Sequence, residues 1–184
     1  MDEERQLIEC ITSGDRQALV KLYARYQRPL FHYLLQLTPD RGLAEELLQD
    51  TLFAVWKSAH TFEGRSSVST WLFGIARRQA HNTLRRRGLP LVSQGDVELA
   101  LLADCRPQPD DFVLANAVRD DLNQAMANLP PIYREVLVLA FVQDQSYLQI
   151  AEIVGVPVGT IKSRLYTAKH LLRKLLVEMG KVTQ

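Results

Sequence analysis

Cysteine is close to absent: the chain has two, Cys10 and Cys105, in 184 residues. They stand far apart and in no paired spacing, which excludes a disulfide framework and fits a reducing, cytoplasmic setting. Histidine is almost as sparse. His32, His60, His81 and His170 are scattered, and with the two cysteines they complete no zinc-type ligand set, so no metal is expected. The sequence lacks a glycine-rich phosphate loop and a nucleophile elbow, and "EGRSS" does not have P-loop spacing. Neither catalysis nor a cofactor is therefore expected. Long apolar runs are missing too. Nothing approaches the roughly 18–20 apolar residues that cross a bilayer, and the acidic start "MDEERQLIEC" is no secretory signal. Alternating apolar and polar positions are equally scarce, with "LPLV" and "VELALLA" the best and both short, so strands are not expected.

Net charge is also nearly lacking, at +1, but that total hides a pattern. Residues 1–63 carry 7 Lys/Arg and 10 Asp/Glu, whereas residues 64–87 carry 6 Arg and no acid. Residues 88–128 hold 2 basic and 7 acidic groups, residues 129–158 hold 1 and 3, and residues 159–184 return to 6 and 1. Two basic blocks thus flank an acidic one. Screening lengths are roughly 8–10 Å at physiological salt, so a polyanion meets each block separately and the chain total does not decide its binding.

What is abundant is helical periodicity. Ala44, Leu47, Leu48, Leu52, Val55, Trp56 and Ala59 form one stripe, and Val68, Leu72, Ile75, Ala76 and Leu84 another. Ser67 or Ser69 suits the N-cap of the second helix, and Gly88 its end. Leu114, Val118, Leu122, Ala125 and Leu129 mark a third helix, and Pro131 opens a fourth at a first-turn position. Between the halves, residues 88–111 hold three prolines, two glycines and five acids, the composition of a linker. The expected fold is all-α, with two small helical domains, 1–87 and 112–184, joined by a flexible acidic linker, 88–111.

The segment "SYLQIAEIVGVPVGTIKSRLY" has the layout of a helix-turn-helix. Ala151 is small where two helices approach, Gly155 stands where the turn needs a positive φ, and Pro157 pre-sets the second helix. On that second helix Ile161, Leu165, Ala168, Leu172 and Leu175 recur at core spacing. Because a recognition helix is read from its N-terminal turns, Thr160, Lys162, Ser163, Arg164, Tyr166 and Thr167 are the candidate base-reading residues. Lys169 and Arg173 lie further along, near phosphates. The other basic block offers Arg77, Arg78, Arg85, Arg86 and Arg87 on a helix, with Asn82 among them. Ahead of it, a loop with His60, Phe62, Arg65, Ser66 and Ser67 has the polar and aromatic groups that cradle an unstacked base. Trp56 and Trp71 are expected in the core. From the residues alone, a repressor or activator binding duplex DNA competes with this reading, although it does not require two basic blocks.

Both motifs together resemble the extracytoplasmic-function (ECF) group of sigma-70 RNA polymerase sigma factors. "AEELLQDTLFAVWKSAHTFEGRSSVSTWLFGIARRQAHNTLRRR" resembles region 2, and "LPPIYREVLVLAFVQDQSYLQIAEIVGVPVGTIKSRLYTAKHLLRKLL" resembles region 4. The resemblance implies a dissociable initiation subunit that binds core RNA polymerase. Glu46, Gln49, Asp50 and Phe53 would meet the clamp helices of the polymerase β′ subunit, and region 4 the β flap. The loop His60–Ser67 and the helix after it would melt the −10 element, the helix-turn-helix would read the −35 element, and the linker would thread toward the polymerase active site. An anti-sigma factor is an implied partner. Arg78 stands where many relatives have Asn, Asn82 where many have Asp, and Thr167 where Arg is frequent, so no promoter sequence carries over.

Overall fold

The computed structural model describes residues 3–38, 40–89 and 116–180. The linker reading of residues 90–111, with Cys105, falls outside them. Every regular element among the described residues is helical: α1 (Glu3–Thr12), α2 (Arg16–Leu37), α3 (Arg41–Ser58), α4 (Val68–Arg86), α5 (Asn116–Ala127), α6 (Pro131–Leu137), α7 (Tyr147–Val154) and α8 (Val158–Glu178). A short 3₁₀ turn, Ala59–Thr61, follows α3.

Local chemistry sets the boundaries. Asp15 caps α2 by accepting from the amides of Gln17 and Ala18, and Asp40 caps α3 through Leu43. Ser67, the first of the two serines considered for that role, caps α4: its hydroxyl accepts from the Thr70 amide at 3.0 Å. The C-terminus of α4 closes at Gly88, φ +63°, with the Leu89 amide donating to the Leu84 carbonyl at 3.0 Å. In α7 the capping box is complete, because Ser146 and Gln149 each satisfy the other's backbone amide.

After α6 the chain widens into one π turn, Val138–Val142, closed by the Gln143 amide on the Val138 carbonyl at 3.0 Å. Asp144 follows with φ +50° and turns the chain into α7. Gly155, φ +74°, ends α7, and its amide donates to Ala151 at 2.8 Å. The helix-turn-helix is therefore present with its turn where the glycine required it. Pro157 sits at the cap of α8, one residue earlier than a first-turn position.

The first four helices pack around Leu22, Leu30, Leu34, Leu47, Val55, Leu72 and Phe73, all buried. Trp56 and Trp71 are half-buried against this core, as expected. In the second half Val136, Leu139, Ile150, Ile161, Leu165 and Ala168 are buried together. The two halves are not merely strung on a tether. Helix α7 packs on α4 and α6 on α2, and the buried side chains form one contiguous cluster.

Two glycines test this reading of the backbone. Gly155→Ala places a Cβ in left-handed backbone and is expected to destabilise the protein by about 1 kcal/mol. Gly74 lies inside α4 with nothing within 4 Å of an added Cβ, so Gly74→Ala is expected to stabilise by about 0.4–1 kcal/mol. Urea midpoints of the two variants should move in opposite directions.

Candidate nucleic-acid interfaces

Helix α8 buries Ile161, Leu165 and Ala168 and turns its other faces outward. Lys162, Tyr166, Lys169 and Arg173 follow one another at steps of four, three and four, and all four are exposed, Tyr166 at 47%. They make one polar and cationic stripe along the helix. Lys169 also lies over the Phe141 ring, 5.0 Å from its centroid. Thr160, Arg164 and Thr167 fall on a second stripe and are half-buried. Ser163, between the stripes, is half-buried too and donates to the Thr160 carbonyl at 3.0 Å.

Helix α4 divides in the same manner. Arg78, Asn82, Arg85 and Arg86 are exposed at steps of four, three and one. Arg86 also donates to the Thr83 hydroxyl at 3.0 Å. In the loop before the helix, His60 and Arg65 are exposed and Arg65 pairs with Glu63. Phe62 is half-buried with its ring centroid 5.2 Å from that of Trp71, so its face is partly engaged. Ser66 and Ser67 are half-buried, and Ser67 is already held as the N-cap. Gly64, φ +70°, bends the loop, and Arg5 of α1 donates to its carbonyl at 3.0 Å.

Arg77 is a correction. It was expected among the phosphate-facing cations, but it is only 7% exposed. Phe73, Arg77, Ala80 and Leu84 are all buried and lie at steps of four, three and four, so the helical period carries Arg77 onto the core face. Its Nε donates to Glu135 Oε1 at 2.8 Å, and the Tyr33 hydroxyl donates to the same oxygen at 2.8 Å. Glu135 has no exposed surface. Burial and the adjacent Glu135 charge push the Tyr33 hydroxyl well above its ordinary pKa. Tyr33 also meets Phe73 edge to face, 5.3 Å between centroids at 83°.

Glu135 was missed in the sequence, and so was the junction it anchors. The signal was available. Ile132, Glu135, Val136 and Leu139 share a helical stripe, and a carboxylate on an apolar stripe demands a buried partner. A second contact between the halves joins the starts of α4 and α7. Gln145 Nε2 donates to the Ser69 hydroxyl at 3.0 Å and Gln149 Nε2 to the Ser67 hydroxyl at 3.3 Å. Arg134 donates to the Gln36 carbonyl of α2 at 3.4 Å and, more closely, to the Ala127 and Leu129 carbonyls at 2.8 and 2.9 Å.

The third surface is on α3. Glu46, Gln49, Asp50 and Phe53 occupy one face, opposite the buried Leu43, Leu47, Leu48 and Thr51. Phe53 is 59% exposed, with Lys57 lying 4.3 Å from its ring centroid. Glu46 accepts two hydrogen bonds from Arg87, at 2.7 and 2.8 Å. Among the described residues no group of three or more His, Cys, Asp and Glu is placed to hold a metal.

Comparison with known proteins assigns both halves. Residues 22–89 match sigma-70 region 2 and residues 119–172 match sigma-70 region 4. The ECF RNA polymerase sigma factor RpoE of Cereibacter sphaeroides is 32% identical over 161 residues, 87% of each chain. The chain belongs to the ECF sigma factors. Its function is accordingly that of an alternative sigma factor in transcription initiation, and the family is regulatory rather than enzymatic. Among solved structures, the sigma factor RpoE of Bartonella quintana, in complex with the anti-sigma factor NepR, aligns with a TM-score of 0.65 at 29% identity. That alignment covers 85% of this sigma factor and 94% of the other chain. CnrH, solved with the cytosolic domain of CnrY, shares the fold with a TM-score of 0.70 at 22% identity, over 96% and 99% of the two chains. No described helix of this sigma factor is long and apolar enough to cross a membrane.

The junction carries its own pH dependence. His81 has its pKa lowered, first by burial and then by the nearby Arg77 cation, with Glu135 opposing. The unfolded chain therefore binds a proton on His81 more readily than the folded one. This contribution to stability is complete above the ordinary value of 6.5 and is lost as pH falls below it. The thermal midpoint is expected to fall between pH of about 7.5 and about 5.5, and His81→Leu should remove part of that fall.

Proposed function

We propose that this sigma factor docks on core RNA polymerase through the α3 face Glu46–Gln49–Asp50–Phe53. It then reads two promoter elements with two separate surfaces. The observation that carries the reading is the pair of exposed stripes. Arg78, Asn82, Arg85 and Arg86 lie along α4, the helix that the loop with His60, Phe62, Arg65, Ser66 and Ser67 leads into, and Lys162, Tyr166, Lys169 and Arg173 lie on the second helix of a helix-turn-helix.

The α8 stripe suits a major groove, with Lys162 and Tyr166 nearest the helix start and Lys169 and Arg173 toward phosphates. Thr160, Ser163, Arg164 and Thr167 flank it and set the fit. The α4 stripe and its loop suit a strand that has left the duplex, since cations track the backbone while aromatic and polar groups hold a base. Each contact is weak alone. Core polymerase fixes their spacing and turns two weak contacts into one bivalent grip. No bond is broken by this chain, so the work of opening DNA comes from binding.

The relatives support a further partner. The Bartonella quintana sigma factor was solved in complex with an anti-sigma factor, and an anti-sigma factor covering the polymerase-binding face is the matching regulator here. The polymerase β flap is proposed to receive the second half of the chain, and the cytoplasm is the corresponding location.

Transcription from fragmented genomic DNA by core polymerase plus this chain tests the reading. A small set of start sites sharing two short upstream elements is expected; tight duplex binding with no effect on polymerase would point instead to a stand-alone regulator. Replacing Gln49 and Asp50 together by alanine should weaken core binding by roughly tenfold or more with unchanged helical content. Lys162→Ala or Tyr166→Ala should change which −35 sequences are used, whereas a uniform loss across sequences would mark these residues as phosphate contacts.

A further inference from the structure

We propose that Arg5, on α1, belongs to the surface that receives an unpaired strand. One arm of its guanidinium fixes the turn of the loop before α4, and its remaining donors take a phosphate of the strand lying there. The proposal rests on the function above in assigning the loop His60–Ser67 to single-stranded DNA.

The geometry starts at Gly64. Its φ of +70° turns the loop, and Arg5 Nη2 donates to its carbonyl at 3.0 Å from 59 residues away in sequence. The guanidinium also lies against the glycine itself: a Cβ added at Gly64 would stand 3.6 Å from Arg5 Nη1 and 3.7 Å from Cζ. Helix α1 brings Arg5 to this place. Ile8 and Ile11 are buried, which seats the helix on the core of the first half. Glu4, next to Arg5, accepts from the Tyr26 hydroxyl at 2.7 Å and pairs with Arg25 at 3.0 Å, both on α2. Helix α1 also packs against the 3₁₀ turn Ala59–Thr61 at the entry to the loop. Backbone on both sides of the contact is thus held in place, and only the Arg5 side chain remains to be ordered.

Charge at the turn points to a phosphate. Glu63 and Arg65, on either side of Gly64, pair with each other. Arg5 has no carboxylate partner among the described residues and is exposed. It is therefore the cation that the loop leaves without a counter-charge, although it stands in the stretch 1–63, where acids outnumber bases. A guanidinium has five N–H donors in a planar fork. One is spent on the Gly64 carbonyl, which leaves the charge intact, and the others suit phosphate oxygens. A strand in the loop then meets a cation from α1 as well as the stripe on α4.

Because Arg5 is exposed in the folded chain, the full chain alone serves for the test. Fluorescence anisotropy of a labelled mixed-sequence DNA strand reports binding between about 50 and about 200 mM salt. Arg5→Gln should lower the slope of log affinity against log salt by about 0.7, the increment for one phosphate contact on a single strand. Across that range the wild type should lose about 2.6-fold more affinity than this variant. Arg5→Lys keeps the charge and should keep the slope. Gly64→Ala strains the turn but leaves every charge in place, so it should lower affinity without changing the slope.

An unchanged slope in Arg5→Gln would overturn the proposal, as would a wild type that binds no strand at the lowest salt. So would an Arg5→Lys slope as low as that of Arg5→Gln, since charge would then not be what the strand meets. A slope that falls equally in Gly64→Ala would overturn it too, because the order of the loop alone would account for the effect. Promoter-specific transcription by core polymerase with the same wild-type sample separates the two claims: its failure would reject the sigma function while leaving the strand contact of Arg5 standing.

Discussion

A carboxylate with no exposed surface must find a cation, and in this molecule that requirement fixes how the halves of the chain meet. Glu135, buried among Val136, Leu137 and Leu139, is held by hydrogen bonds from Arg77 and Tyr33. Apolar contact between α4 and α7 and between α2 and α6 is tolerant of sliding, because burial of apolar surface has no preferred direction. Two hydrogen bonds of 2.8 Å to one oxygen have a direction and a place. Once α6 is set by that point, α7 arrives with Gln145 and Gln149 opposite Ser69 and Ser67. The lesser contacts follow from the buried one.

Each working helix has two duties divided by the helical period. On α8, Ile161, Leu165 and Ala168 hold the helix in the domain while Lys162, Tyr166, Lys169 and Arg173 face away. On α3, Leu43, Leu47 and Leu48 are buried while Glu46, Gln49 and Phe53 are exposed. A rigid core face is what lets a short surface stripe keep its register, since side chains on one helix cannot shift independently of one another. The short loop ahead of α4 is fixed differently. Ser67 caps the helix, Gly64 supplies the positive φ, and Arg5 reaches across from α1 to hold the Gly64 carbonyl. The loop residues proposed to receive a nucleic acid are thus held by both α1 and α4.

Much of this was legible in the sequence because it is local. Ser67 before an apolar repeat, Gly88 after it, and Gly155 in the helix-turn-helix each announce a backbone need that one residue meets. The exposed stripe of α8 was legible by subtraction once Ile161, Leu165 and Ala168 were assigned inward. Arg77 was not, because counting charge along residues 64–87 averages over the circumference of the helix, and a step of one residue turns the side chain by about 100°. The stripe first traced on α4 omitted Phe73 and Ala80, which are the neighbours that would have placed Arg77 inside. Its partner lies 58 residues away in sequence, and no periodicity within either segment points to a pairing at that distance. The reading of two helical domains joined by a linker did not foresee their contact, and Glu135 is the residue whose burial makes sense only when the halves touch.

The pairing also changes what the first basic block is worth. Of the six arginines between residues 64 and 87, Arg65 pairs with Glu63, Arg87 with Glu46 and Arg77 with Glu135. Arg78, Arg85 and Arg86 have no carboxylate partner among the described residues, so the field a polyanion meets is about half what composition suggests. The three pairs are not equivalent. Those of Arg65 and Arg87 are solvent-exposed, contribute little, and exchange readily for phosphate. The pair of Arg77 is nearly dry, with Glu135 fully buried. A subunit that acts through two weak contacts made strong by a scaffold needs each contact to stay weak until the scaffold is present. With Arg77 buried, the α4 cations that stay exposed with no carboxylate partner among the described residues are Arg78, Arg85 and Arg86, the stripe proposed to meet DNA.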